Sequence, residues 1–149
     1  MRRLAPLLLT CLLACAHQEA TGPVSLHADQ VTEGDAQLSV ELLYEPTGPR
    51  KVKLMLKMRV SGVNETEKLV GEVYIHGFNV EEGATRWDGF VPPRQPQTFE
   101  VTLAIPDGND SATATVSLSR SHDSEVLIRQ DLEFTVDAEG TISGSRSSS

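Results

Sequence analysis

Apolar and polar residues alternate with a period of two along most of this chain, and no stretch carries a helical stripe of comparable strength. The clearest run is Val52 to Val60. Val52, Leu54, Leu56, Met58 and Val60 fall on one side, and Lys53, Met55, Lys57 and Arg59 on the other. Successive side chains of a strand point to opposite faces, so this pattern sends one face into a core and the other into water. The same rhythm runs through Leu38, Val40 and Leu42, through Phe99, Val101, Leu103 and Ile105, and through Ala114, Val116 and Leu118. It continues through Val126, Ile128, Leu132, Phe134 and Val136. Leu69, Val73 and Ile75 define one more strand, and Val24 and Leu26 a short first one. Turn formers separate the runs at Glu33-Gly34-Asp35, Pro46-Thr47-Gly48-Pro49, Ser61-Gly62-Val63-Asn64 and Pro106-Asp107-Gly108-Asn109. About seven strands with one apolar face each cover one another best as two sheets packed face to face.

The prediction is an all-β fold, a single antiparallel two-sheet sandwich over residues 24–140, followed by a disordered, Ser-rich tail over 141–149. Of 149 residues, 39% are hydrophobic but only 7 are aromatic, so the core is aliphatic. In a hairpin closed through Pro46 to Pro49, Glu41 is expected to oppose Lys53 and Asp35 to oppose Arg59. Lys57 is expected to face Glu72 across the next hairpin. The body resembles immunoglobulin- or fibronectin-like sandwiches, without the disulfide flanking a Trp that marks true immunoglobulin domains. Glu33-Gly34-Asp35-Ala36 before an alternating strand also resembles the opening of Calx-β-type sandwiches.

Residues 1–14 read as a secretory leader. Arg2 and Arg3 supply the positive start, and Leu4 to Leu13 an apolar stretch shorter than the roughly 20 residues a membrane span needs. The stretch ends in Leu12-Leu13-Ala14-Cys15, which resembles the lipobox of bacterial lipoproteins. That resemblance implies cleavage before Cys15, diacylglycerol on its thiol, acylation of the freed amine, and loss of Cys11 with the leader. Residues 15–23 become a lipidated start and short tether. Ala16, in place of Asp after the cysteine, implies the outer membrane. The other reading is ordinary signal-peptidase cleavage at the Ala14-Cys15-Ala16 site, which would release a soluble domain.

The 13 basic and 21 acidic residues give −8, and removing Arg2 and Arg3 leaves 11 basic residues and −10. A chain so acidic lacks the basic surface that nucleic acid requires. No enzymatic constellation stands out. Ser121-His122-Asp123 holds triad residue types, but neighbours in sequence project in different directions and read as a polar hairpin turn. His27, His76 and His122 lack zinc-ligand spacing, and with Cys15 acylated no thiol nucleophile remains. Asp107-Gly108-Asn109-Asp110 invites a calcium reading, alone or with Glu33 and Asp35. It departs from an EF-hand loop at Ala112 and Leu118, where Gly and Glu are wanted. No metal site and no cofactor beyond the lipid on Cys15 is assigned.

Two features remain as candidate interaction surfaces. Arg50, Lys51, Lys53, Lys57 and Arg59 concentrate basic charge on one strand, with Lys53, Lys57 and Arg59 as a strip for an acidic partner or lipid headgroups, or else for cross-strand pairs. Gly83 to Gln97 lacks alternation and reads as a long irregular loop holding Arg86, Trp87, Phe90 and Arg94. Trp and Arg are preferred interface anchors, so this loop is the expected partner site, unless Trp87 and Phe90 fold inward. The expected function is a non-enzymatic, lipid-anchored envelope protein that scaffolds a secretion, motility or adhesion assembly. The alternative is a glycan- or calcium-binding module at the cell surface.

Overall fold

A computed structural model describes residues 22–148, so Cys15 and the leader lie outside the described residues. The chain forms two five-stranded antiparallel sheets packed as an open sandwich. Ten strands stand where about seven were predicted. They are β1 (Val24–Glu33), β2 (Ala36–Gly48), β3 (Lys51–Ser61), β4 (Lys68–His76), β5 (Asn79–Gly83), β6 (Arg86–Phe90), β7 (Gln97–Ala104), β8 (Ser111–Arg120), β9 (Val126–Val136) and β10 (Ile142–Arg146). One sheet runs β1-β2-β3-β7-β5, the other β10-β9-β8-β4-β6.

Alternation does set the core. The inward residues of β3, from Val52 to Val60, are 0 to 8% exposed, and Leu118, Leu132 and Phe134 are sealed from solvent. Each buried side chain of this size contributes roughly 1.5–3 kcal/mol relative to exposure. Met55 breaks the pattern. It points outward yet is buried, beside Leu43 on the neighbouring strand.

Several local expectations are corrected. β1 is a full strand rather than a short one. β2 continues through Pro46 to Gly48, so Lys53 faces Glu45 at 3.3 Å and Glu41 faces Lys57. Pro46, which has no amide hydrogen, sits where the register shifts before the turn. Asp35 lies in the β1–β2 turn, and Arg59 faces Ser39. Glu72 belongs to the opposite sheet from Lys57, whose other neighbour is Thr98 on β7. A register shift between Leu118 and Ser119 turns Val126 outward and Leu127 toward the core.

The Ser-rich tail is not a free coil up to its end: Ile142 to Arg146 pair with β9. Gly144 lies opposite Phe134, and a Cβ there would stand 2.5 Å from the ring. The bare backbone makes room for the largest sealed side chain of the core.

The sandwich has two distinct ends. Its base holds Val24, where the chain enters β1, together with the β2–β3, β7–β8 and β9–β10 turns. Its tip holds the β1–β2, β3–β4, β6–β7 and β8–β9 connections. A ten-residue β1 separates them by about 33 Å. At the base, Phe134 meets Tyr44 and Phe78 edge to face, with ring centroids 5.7 and 5.5 Å away.

Candidate functional site

At the tip the filling changes. Val31, Leu38, Val60, Val63, Leu69 and Leu127 line a pocket of about 170 Å³, and no aromatic residue lines it among the described residues. Aliphatic side chains leave open here the volume that three rings fill at the base. Gly62 sets the floor of the approach. It holds φ at +81°, and any Cβ there would collide with the Asp35 carbonyl oxygen, so the β3 exit and the β1–β2 turn touch backbone to backbone.

Arg120, at the end of β8, closes one side of the pocket with only 13% of its side chain exposed. Its guanidinium meets three carboxylates: Glu33 from β1, Glu67 from the β3–β4 loop at 2.9 Å, and Glu125 from the β8–β9 turn at 2.8 Å. Nη1 donates to Glu125, whereas Nε is held beside Glu67 by charge without an aligned hydrogen bond. The backbone locks the same corner, with Ser121 N–H donating to Lys68 O at 2.9 Å and Ser124 N–H to Arg120 O at 3.1 Å. Arg120 thus ties three tip connections together.

Replacing Arg120 with Met leaves three carboxylates facing one another and is expected to cost about 1–2 kcal/mol. That is less than for a fully buried pair, because the acids keep 39 to 66% exposure and can take up water. Added salt should narrow the gap in melting temperature between variant and wild type; a gap insensitive to salt would contradict this electrostatic account.

Residues singled out by sequence are dispersed. Arg86, Trp87 and Phe90 lie on β6, an edge strand beside β4 rather than in an irregular loop. Trp87 turns inward and packs against the core, its ring close over Gly89. Phe90 turns outward and is 57% exposed. Arg86 reaches Glu72, and Arg94 sits exposed in the following loop with φ of +65°. The four do not form one surface. Trp87→Ala is expected to lower stability by roughly 2 kcal/mol, as a half-buried core residue would. A stability unchanged within error in a denaturant titration would return Trp87 to the surface role.

The basic strand is paired only in part. Lys51 meets Glu81 at 3.2 Å and Lys53 meets Glu45 at 3.3 Å. Arg50 turns back onto the Ile105 and Pro106 carbonyls. Lys57 and Arg59 stay exposed on the outer face of their sheet.

Asp107 to Asp110 lie at the base and Glu33 and Asp35 at the tip, so these two acidic turns do not share an ion. Among the described residues no group of three or more His, Cys, Asp or Glu stands placed to hold a metal. Exposed Tyr74 and Phe90 share the outer face of the second sheet. Phe90 pairs with Lys68, six positions from Tyr74, a separation of about 20 Å. They do not make the aromatic row of a sugar platform. Tyr74 donates to Glu72 at 2.9 Å, and that hydrogen bond together with the carboxylate charge raises its pKa.

Ser121, His122 and Asp123 do form the β8–β9 turn. His122 meets Glu67 through Nδ1 at 3.0 Å and Asp123 through Nε2 at 3.2 Å. Reading single segments missed the pocket and Arg120. The one available signal was the recurrence of acids in Glu33, Asp35, Glu65, Glu67, Asp123 and Glu125, all in or beside turns that an antiparallel meander brings to one end. No family model matches the chain, and no curated protein matches it in sequence.

Proposed function

We propose that this chain is a non-enzymatic, lipid-anchored protein of a bacterial envelope, held through Cys15 at the outer membrane and presenting its tip to a protein partner. The observation that carries this reading is the opposition of the two ends. The chain enters β1 at the base, while the pocket and the Arg120 junction lie about 33 Å away at the tip. Only eight residues, Ala16 to Pro23, lie between Cys15 and β1, and eight residues of any conformation span at most about 28 Å. The base therefore stays near the bilayer and the tip faces away from it.

At the one turn that holds triad residue types, His122 speaks against a serine relay. Both of its ring nitrogens meet carboxylates, which leaves neither for a serine hydroxyl. Photo-crosslinking in cells tests the orientation. A photoreactive residue at Glu65, on the tip, is expected to trap a protein, and one at Thr47, at the base, is not. Adducts from Thr47 alone would overturn the reading.

A further inference from the structure

We propose, resting on the interaction-module reading, that the tip pocket receives one aliphatic side chain from a basic segment of the partner. Size and charge argue this together. A cavity of about 150 Å³ lined by aliphatic and aromatic groups suffices to hold a benzene ring. The 170 Å³ here, walled by Val31, Leu38, Val63 and Leu127, suits a single leucine-sized group and is too small for a helix face or an acyl chain. Its mouth is acidic. Glu33, Glu65 and Glu67 line it against Arg120 alone, a net −2. Asp35, Asp123 and Glu125 stand in the adjoining turns. Arg120 is already surrounded by carboxylates, so its charge is compensated within the protein rather than offered to a ligand.

An acidic rim around an apolar hole selects a leucine-like residue flanked by lysine or arginine, since opposite potentials steer encounter and like charges oppose it. The same rim disfavours an anionic lipid headgroup, and the pocket stands at the end away from the tether. Turned toward its own kind, the tip would set acid against acid.

The full chain, purified from membranes in detergent and isotope-labelled, is titrated with a short lysine-rich peptide bearing one central leucine. Methyl resonances of Val31, Val63 and Leu127 are expected to shift in a saturable way. Replacing the peptide's leucine with alanine should weaken binding roughly tenfold or more, from the lost apolar burial. Glu65→Lys, an exposed change, should weaken it about threefold. Val63→Trp should fill the pocket and abolish it, with the melting curve checked against wild type.

Equal binding of the alanine peptide would overturn the apolar anchor. Equal binding of a peptide with glutamate for lysine would overturn the charge selection. No methyl shift at any peptide concentration, in a protein that still yields the Glu65 photo-adduct, would overturn this pocket assignment while leaving the interaction-module reading intact. Loss of both would overturn the two together.

Discussion

Phe134→Ala is expected to lower stability by about 3–5 kcal/mol, seen as a drop in melting temperature of roughly 10–20 °C. Phe134 is sealed from solvent and is the largest fully buried side chain. Its ring is the hub on which Tyr44 and Phe78 converge from the other sheet and from the β4–β5 turn. Removing it opens a cavity that two edge-packed rings cannot close without losing their own contacts. A second measurement isolates the geometry. Gly144→Ala places a methyl 2.5 Å from the Phe134 ring and should cost about 1–3 kcal/mol by overpacking. Combined with Phe134→Leu, which trims the ring, the alanine should cost less than it does alone, because the two positions share one space. Strict additivity in calorimetry would mean that Gly144 serves some other need than room for Phe134.

That pair also shows why part of the fold escapes a reading of the sequence. Ser143-Gly144-Ser145-Arg146 carries neither alternation nor an apolar face, yet it is a strand. Its place is set by Ile142 entering the core and by an absent side chain over Phe134, a relation between positions ten apart in sequence. β5 and β6 escaped for a related reason. Edge strands bury little: all of β5 is exposed, and β6 turns only Trp87 and Gly89 inward, too short an alternation to stand out. The register of β2 on β3 was set by a turn at Pro49–Arg50, beyond a proline that reads as a strand end, with a one-residue shift beside Pro46. By contrast, the inward face of β3 was legible, though not the burial of Met55 on its other side. Both its neighbours lie in the same sheet, so its inward face had to be apolar at every second residue. The tip pocket was the least legible feature. Its walls come from separate strands and loops, each contributing one to four residues, and the property that matters is a volume left unfilled.

Cys15→Ser is expected to abolish lipid attachment and, wherever the leader is still removed, to free the domain from the membrane. On the proposed reading the acyl chains are what holds the domain to the bilayer. Cleaved before Cys15 as proposed, the chain would carry −10, which an anionic lipid surface repels. Among the described residues no helix is long and apolar enough to cross a membrane. Acyl chains contribute on the order of 0.8 kcal/mol per buried CH₂, so two or three of them on Cys15 would supply that hold. Radiolabelled fatty acid should enter the wild type only; a serine variant left uncleaved should keep its apolar Leu4 to Leu13 stretch and stay with the membrane unlabelled, and one cleaved elsewhere should appear in the soluble fraction. Cys15 lies nine residues before the start of β1, so purified variant and wild type should melt alike and bind the lysine–leucine peptide alike. Partner capture in cells should nevertheless fall, because the tether supplies the high local concentration that brings the tip to a partner in the same envelope. Equal labelling of both proteins would refute lipidation at Cys15. A wild type that is soluble and unlabelled would instead establish cleavage at the Ala14-Cys15-Ala16 site.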